Sequence, residues 1–336
     1  MSDVPALKVS AIVKTYHVGT ALANIFKGRK NRHTTLTALA GVDLELRRGE
    51  ILALVGESGS GKSTLAKILV RSIRPTSGEL FYGGRLVPAK RTKDATRRIQ
   101  IVFQDPYSSL NPRLTVKAML AELLILHKIV PRREVRAESI RLLNRVGLEE
   151  SALDAYPSQF SGGQRQRLAI ARALAVRPDI LIADEPVSAL DVSVQATILE
   201  LLTSLQRELG LSILFIGHNL AVVQHLSQRV AVMYLGRIVE VANTEDLFAN
   251  PRHPYTRALI ESVPRMTERV EDEFVIKGEP PSPLNLPQGC RFHPRCPYAV
   301  DACRTTDPPL MHVEDWHESA CLRFEELPAF SSVRAR

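Results

Sequence analysis

The chain has 336 residues, of which 45% are hydrophobic and 24% charged, a composition typical of globular proteins with a large core. No run of 18 uncharged apolar residues is present, and the most apolar candidate, residues 118–130, is interrupted by Glu122, His127 and Lys128, so no membrane-spanning helix is predicted. The first residues lack the basic and apolar blocks of a secretory signal, which favours the cytoplasm. The net charge of +8 is compatible with nucleic acid, an anionic membrane face or no partner, and does not choose among them.

The N-terminal part is rich in predicted strands. Residues 7–16 and 36–46 have the loose alternation of strands, and residues 51–55 form the continuous apolar run of a buried parallel strand. We interpret the basic stretch 27–33 as a solvated loop rather than a dedicated binding site. Tyr16 ends the first predicted strand, where its ring could stack on adenine or belong to the core.

The segment after residue 55 carries the most specific motif. Residues 56–64 match G-x-x-x-x-G-K-[ST], and an amphipathic helix is predicted over 63–69. In such a loop backbone N–H groups face phosphate oxygens, and glycine permits the close approach. Lys62 is expected to reach the β- and γ-phosphates, and Ser63 to bind Mg²⁺. The predicted nucleotide contacts of this loop are Gly56, Ser58, Gly59, Ser60, Gly61, Lys62, Ser63 and Thr64.

Helical periodicity replaces the strand pattern between residues 110 and 175, which predicts a helical insert at about 105–175. Gln104 precedes the insert at the end of a predicted strand, and its amide could bind Mg²⁺ or water or be a plain surface group. Inside the insert a second anion cradle opens a helix, formed by Ser161, Gly162, Gly163 and Gln164. Because one nucleotide does not need two cradles, this turn is expected to close over the nucleotide of a second, head-to-tail subunit.

Two further apolar runs, at 180–183 and 212–216, predict buried strands separated by a helix over 194–208, which gives an α/β core with a parallel sheet. Asp184 follows the first run and is placed to hold Mg²⁺. Its neighbour Glu185 could polarise the attacking water as a general base. His218 follows the second run and could donate to the γ-phosphate, although a histidine there is often structural.

After residue 247 the chain is rich in proline, which predicts a connecting segment followed by a small separate module. Four cysteines lie in that module, with gaps of 5, 6 and 17 residues: Cys290, Cys296, Cys303 and Cys321. A cytosolic location favours ligation over disulfides. The wide gaps suit an iron–sulfur cluster better than structural zinc, although zinc and free thiols stay open.

Together these motifs resemble those of ABC transporter ATPase subunits: residues 56–64, Gln104, residues 160–164, 180–185 and 188–191, and His218. Residues 250–256 and 289–296 resemble the C-terminal extension of the dipeptide and oligopeptide importer branch. The resemblance implies a P-loop NTPase core (α/β, mostly parallel sheet) with an N-terminal antiparallel β subdomain, the helical insert and a small Pro-rich, Cys-containing module. The ATPase domain would span 1–250 and the extension 251–336.

The same resemblance implies an ATPase that uses ATP and Mg²⁺ to power peptide import, with Asp191 near the nucleotide. Expected partners are a second ATPase subunit (a paralogue rather than self), two transmembrane permease subunits and an extracytoplasmic peptide-binding protein, with no nucleic acid. The protein would lie peripherally on the cytoplasmic face of the cell membrane. Some members carry a [4Fe–4S] centre in the extension, which implies the same role for the four cysteines.

Two departures from the family pattern are mild. Phe160 stands where leucine is common, and Gly217 stands where serine or threonine is common. Two alternatives stay open. A nucleic-acid-associated ATPase would fit the positive charge. A cysteine module acting as a redox sensor or docking element would make ATP hydrolysis secondary.

Overall fold

Two sheets and the helices around them make up the described part of the chain. The computed structural model describes residues 4–18, 34–88, 92–105, 109–262, 276 and 278–330. Its strands are β1 (Leu7–Val18), β2 (Thr34–Leu46), β3 (Ile51–Val55), β4 (Ser77–Tyr82), β5 (Arg85–Leu86), β6 (Ile99–Val102), β7 (Ile180–Asp184), β8 (Ser212–Gly217), β9 (Arg229–Tyr234), β10 (Arg237–Asn243), β11 (Met311–Glu314) and β12 (His317–Ser319). Its helices are α1 (Lys62–Leu69), α2 (Lys93–Arg98), α3 (Val116–Leu126), α4 (Val135–Arg145), α5 (Gly162–Leu174), α6 (Val192–Leu209), α7 (Leu220–Leu226), α8 (Thr244–Ala249), α9 (Pro254–Glu261) and α10 (Asp301–Thr305).

The larger sheet has the order β11-β12-β10-β9-β3-β8-β7-β6. The five strands from β9 to β6 are parallel, whereas β10, β12 and β11 continue the sheet in antiparallel pairing. All five residues of β3 are buried, as their continuous aliphatic run predicts for a central strand with both faces covered.

Alternate side chains of β3 enter two different cores, because successive residues of a strand point to opposite faces. Ile51, Ala53 and Val55 join a core with the helices of the insert and with α6 and α7. Leu52 and Leu54 join a second core with α1 and the smaller sheet.

The smaller sheet has the order β2-β1-β4-β5 and is antiparallel throughout. Together with α1 it covers one face of the larger sheet, and the helices of the insert, α6 and α7 cover the other. The predicted fold class, a mostly parallel α/β core with an N-terminal antiparallel β subdomain and a helical insert, is therefore confirmed. In the described ranges, no helix combines the length and apolar character needed to cross a membrane.

The proline-rich segment after residue 247 differs from the expected connecting segment, because α8 extends into its start and α9 follows. Pro254 is the first residue of α9, a position where the missing N–H costs nothing and the fixed φ suits a helix. Farther along, β12 pairs with β10 through Glu240↔Ser319 and Val241↔Glu318, so the C-terminal residues extend the larger sheet.

Candidate functional site

Part of the predicted nucleotide site lies where four adjacent parallel strands end. In the order β3-β8-β7-β6, the strands lead into the phosphate loop, His218, Asp184–Glu185 and Gln104 respectively. The register aligns Val55 with Gly217 and Asp184 with Ile216. Ligands of open α/β sheets bind at the carboxyl ends of the strands, so this edge is the natural place for the site.

Lys62 is buried at the start of α1, with 5% of its surface exposed. Its Nζ donates to the carbonyl oxygens of Gly56 at 2.7 Å and Glu57 at 2.9 Å. Burial lowers the pKa of Lys62, an effect opposed by the carboxylates of Glu185 and Asp184. The ammonium group is thus held by its own loop, in the field of Asp184, the last residue of β7, and Glu185, which follows it.

Two glycines of the loop lie in contact with backbone where no side chain fits. Gly56 has φ +151°, and a Cβ atom there would lie 2.1 Å from the carbonyl oxygen of Met233 on β9. Gly61 has φ +112°, and its Cβ atom would lie 2.7 Å from the carbonyl oxygen of Ala38 on β2. The loop therefore packs against main-chain atoms of both sheets at these two glycines, and these contacts restrict its conformation.

Ser63 and Asp184 meet across the site, with Ser63 Oγ donating to Asp184 Oδ1 at 3.4 Å. Asp184 is 7% exposed, and this burial raises its pKa against the opposing effect of the Ser63 hydrogen bond. A hydroxyl and a carboxylate oxygen are the hard donors that Mg²⁺ prefers. The pair therefore fits a magnesium ion.

Glu185 and His218 form a second pair, with His218 Nδ1 3.5 Å from Glu185 Oε2. Glu185 has φ +49°, a left-handed conformation that is costly for a glutamate and that recurs at functional sites. Its N–H donates to the carbonyl oxygen of Ile216 at 2.9 Å, which ties the turn to β8. The turn thus holds the Glu185 carboxylate within 3.5 Å of His218.

The Ser-Gly-Gly turn begins α5 as a capping box: Gln164 N–H donates to Ser161 Oγ at 3.3 Å, and Ser161 N–H donates to Gln164 Oε1 at 3.0 Å. Ser161 and Gln164 are exposed. A Cβ atom on Gly163 would lie 2.5 Å from Val194 Cγ1, so the turn packs on the start of α6. Asp191, the residue before α6, is also exposed.

Gln104 and Tyr16 lie at the surface. Gln104 is exposed after β6. Tyr16 is 39% exposed on β1, and the Nζ atom of Lys14 lies 5.0 Å from the centre of its ring. Both positions leave the side chains free to meet a ligand. The basic stretch 27–33 lies outside the described residues.

The four cysteines are free thiols and line a single cavity: Cys290, Cys296, Cys303 and Cys321. Burial raises the pKa of Cys296 to about 11 and that of Cys321 to about 12. Within the described part of the chain, however, no group of three or more His, Cys, Asp or Glu side chains is placed to hold a metal ion. The predicted iron–sulfur or zinc site is therefore not supported by this arrangement.

Sequence reasoning missed the residues that join the C-terminal module to the phosphate loop. Arg295 forms a bidentate ion pair with Glu57, and Tyr255 Oη accepts a hydrogen bond from the Glu57 N–H at 2.8 Å. Glu57 occupies a variable position of the loop motif, so its identity gives no signal. The contact joins residues 238 positions apart, which only the fold brings together.

Comparison with known proteins agrees with this arrangement. The sequence profile described as ABC transporter matches residues 39–188, and that described as oligopeptide/dipeptide transporter, C-terminal region, matches residues 239–303. A dipeptide transport ATP-binding protein of Haemophilus influenzae is 46% identical over 96% of this chain and 98% of its own length. A Brucella ovis protein that carries the name of a peptide import ATP-binding protein is 44% identical over 96% and 99%. A dimeric ATP-binding cassette solved in a post-hydrolysis state with ADP and Pi is similar in fold, with a TM-score of 0.59, 30% identity, and coverage of 71% of this chain and 98% of that one.

Proposed function

Because this chain belongs to the ABC transporter family, we propose that it is the ATP-hydrolysing subunit of a peptide importer, bound peripherally to the cytoplasmic face of the cell membrane. One observation carries the proposal. The groups that would bind and hydrolyse ATP, Lys62, the Ser63–Asp184 pair and the Glu185–His218 pair, meet at one sheet edge. Peptides are the proposed cargo because the names of relatives that align over nearly the whole chain specify peptide or dipeptide transport.

In this proposal the residues of the loop, Gly56 to Thr64, surround the phosphates, and Lys62 exchanges its loop carbonyls for phosphate oxygens. Ser63, Asp184 and Gln104 would hold Mg²⁺, which when bound neutralises charge on the phosphate oxygens. Glu185 accepts the proton of the attacking water, and His218 orients the Glu185 carboxylate while donating to the γ-phosphate. Tyr16 stacks on the adenine.

The second half of each site comes from a partner subunit. The exposed turn at Ser161, Gly162, Gly163 and Gln164 closes over the nucleotide held by the partner's loop, with Asp191 next to it. The similar cassette solved as a dimer supports this pairing. We propose a paralogue as the second ATPase, two permease subunits above the pair, and an extracytoplasmic peptide-binding protein that delivers cargo to the permease.

The domains follow from the same assignment: an ATPase domain at 1–250, with its helical insert at about 105–175, and an extension at 251–336. In the extension we propose that the four cysteines, which line one cavity, hold a [4Fe–4S] cluster rather than zinc, because their wide sequence gaps suit thiolates that approach a cluster from separate loops. Iron analysis and visible absorption of anaerobically purified protein test this. Colourless protein with zinc bound, or with neither metal, contradicts it.

The activity is tested by Glu185→Gln in the assembled transporter. We expect the variant to bind Mg-ATP with the affinity of the wild type and to lose turnover, because a glutamine cannot accept the proton of water. Glu200→Gln, an exposed position on α6, is the control and keeps full activity. Full turnover in Glu185→Gln would contradict the assigned role.

A further inference from the structure

Glu57, the second residue of the phosphate loop, faces the C-terminal module. Arg295 Nη1 donates to Glu57 Oε2 at 3.0 Å, and Arg295 Nη2 donates to Glu57 Oε1 at 3.1 Å. The Arg295 side chain is 8% exposed and the Glu57 side chain 26%, so the arginine is buried and the carboxylate partly exposed. A bidentate arginine–carboxylate pair fixes the relative orientation of the two side chains as well as their distance.

The main chain of Glu57 is held from the same side. Its N–H donates to Tyr255 Oη at 2.8 Å, and Arg295 Nη1 also donates to Tyr234 Oη at 3.3 Å. The rings of Tyr234 and Tyr255 lie 4.6 Å apart, and each packs on the buried ring of Phe292. Burial raises the pKa of Tyr255, which keeps its hydroxyl neutral. The two anchors of Glu57 are therefore fixed by an aromatic cluster.

The remaining polar group of Glu57, its carbonyl oxygen, has its partners within the phosphate loop. It accepts from Lys62 Nζ at 2.9 Å and from the N–H of Ser60 at 3.2 Å. One residue thus joins Arg295 and Tyr255 on one side to the lysine of the nucleotide site on the other.

We infer that Arg295 and Tyr255 are positioning residues of the nucleotide site: through Glu57 they set the shape of the phosphate loop and the place of Lys62. The inference rests on the proposed function, in which this loop binds ATP. It makes the C-terminal module part of the machinery that sets ATP affinity. Arg295 lies next to Cys296, so the same short turn borders the cysteine cavity.

The test is the dissociation constant of the purified full chain for Mg-ATP and for AMP. Arg295→Ala is expected to raise the constant for Mg-ATP about tenfold, the effect of losing one charge-assisted contact. AMP binding should fall less than Mg-ATP binding, because AMP lacks the β- and γ-phosphates that Lys62 serves. Arg295→Lys should bind Mg-ATP more tightly than Arg295→Ala and more weakly than the wild type. Lysine keeps the positive charge but cannot form the bidentate pair with the carboxylate.

Glu57→Gln breaks the same ion pair from the loop side and leaves the module unaltered, so it replaces Arg295→Ala if that variant does not fold. The double variant should bind Mg-ATP no more weakly than either single variant, because both remove one interaction. Asp307→Asn is the matched control. It removes another ion pair between module and core, Arg237–Asp307 at 2.9 Å, and should leave Mg-ATP affinity unchanged.

Wild-type affinity in both Arg295→Ala and Glu57→Gln would overturn the inference, as would additive effects in the double variant or an equal loss in Asp307→Asn. An equal loss of AMP and Mg-ATP affinity would also overturn it, because a general structural defect has that signature. A wild-type chain that does not bind Mg-ATP would instead defeat the proposed function itself.

Discussion

His317 Nε2 lies 2.8 Å from Glu240 Oε1, which joins β12, the last strand among the described residues, to a fully buried carboxylate on β10. The other oxygen of Glu240 accepts the N–H of His253 at 3.1 Å. A buried carboxylate of this kind is stable only while its partners remain. Glu240 therefore anchors both β12 and the start of α9.

Replacing Glu240 with alanine should weaken that anchor. We expect Glu240→Ala to destabilise the protein by about 3 kcal/mol, because it leaves His317 and buried N–H groups without an acceptor. Thermal unfolding should show a midpoint roughly 5 °C lower or more. Glu318→Ala, at an exposed neighbouring position, is the control and should shift the midpoint little. Equal midpoints for the two variants would contradict the anchor.

His253 predicts an acid sensitivity of the fold. Burial lowers the pKa of His253 to about 4, against an opposing effect of Glu240. Because the unfolded chain binds this proton at higher pH than the folded one, the free energy of unfolding should fall as the pH drops from about 6.5 to 4, by roughly 3 kcal/mol at most.

The matched variant is His253→Asn. His253 Nδ1 accepts the N–H of Tyr255 at 3.1 Å as the cap of α9, and asparagine can cap in the same way without titrating. Thermal unfolding between pH 7 and pH 4.5 should depend on pH less steeply in the variant. Parallel curves for the two proteins would show that His253 does not cause the dependence.

Gly56 should tolerate no side chain. Gly56→Ala places a methyl group against the Met233 carbonyl, so Mg-ATP binding should fall at least tenfold as the loop is displaced. Gly49→Ala is the control: its φ of +65° is also unfavourable for alanine, but nothing lies within 4 Å of the added atom. That variant should lose about 1 kcal/mol of stability and keep its nucleotide affinity. Isothermal titration distinguishes the two, and unaltered binding by Gly56→Ala would contradict the close approach.

His218→Ala should slow hydrolysis about a hundredfold while Mg-ATP binding changes little, because Glu185 loses the group that orients it, whereas the γ-phosphate loses one hydrogen bond among many contacts. Phosphate release measured alongside nucleotide binding separates the two effects. His225→Ala, on the exposed face of α7, controls for loss of a nearby imidazole. If His218→Ala lost affinity and kept its rate, the residue would be a binding group instead.

Local sequence patterns predict the buried core strands and the sheet edge at which the nucleotide site lies. The aliphatic runs at 51–55 and 180–183 predict strands because residues buried on both faces must be apolar, and the acidic pair then falls at a strand end. The loop motif is equally local. Helix α9 was missed because proline was interpreted as a helix breaker, whereas Pro254 occupies the first turn.

What sequence patterns could not predict depends on distant partners. Glu57 and Arg295 are 238 positions apart, and Glu240 and His317 are 77 apart. No periodicity links such residues, and no local pattern shows which of them meet. The shared cavity of the cysteines is of the same kind, because their gaps do not determine which way the thiols face.

The pairing of β12 with β10 also bears on solubility. A chain shortened to residue 262 would leave the main-chain donors and acceptors of β10 that now serve β12 without partners, next to five consecutive buried residues of that strand. A bare, apolar strand edge is a template for joining other molecules edge to edge. In the full chain β12 covers this part of the β10 edge.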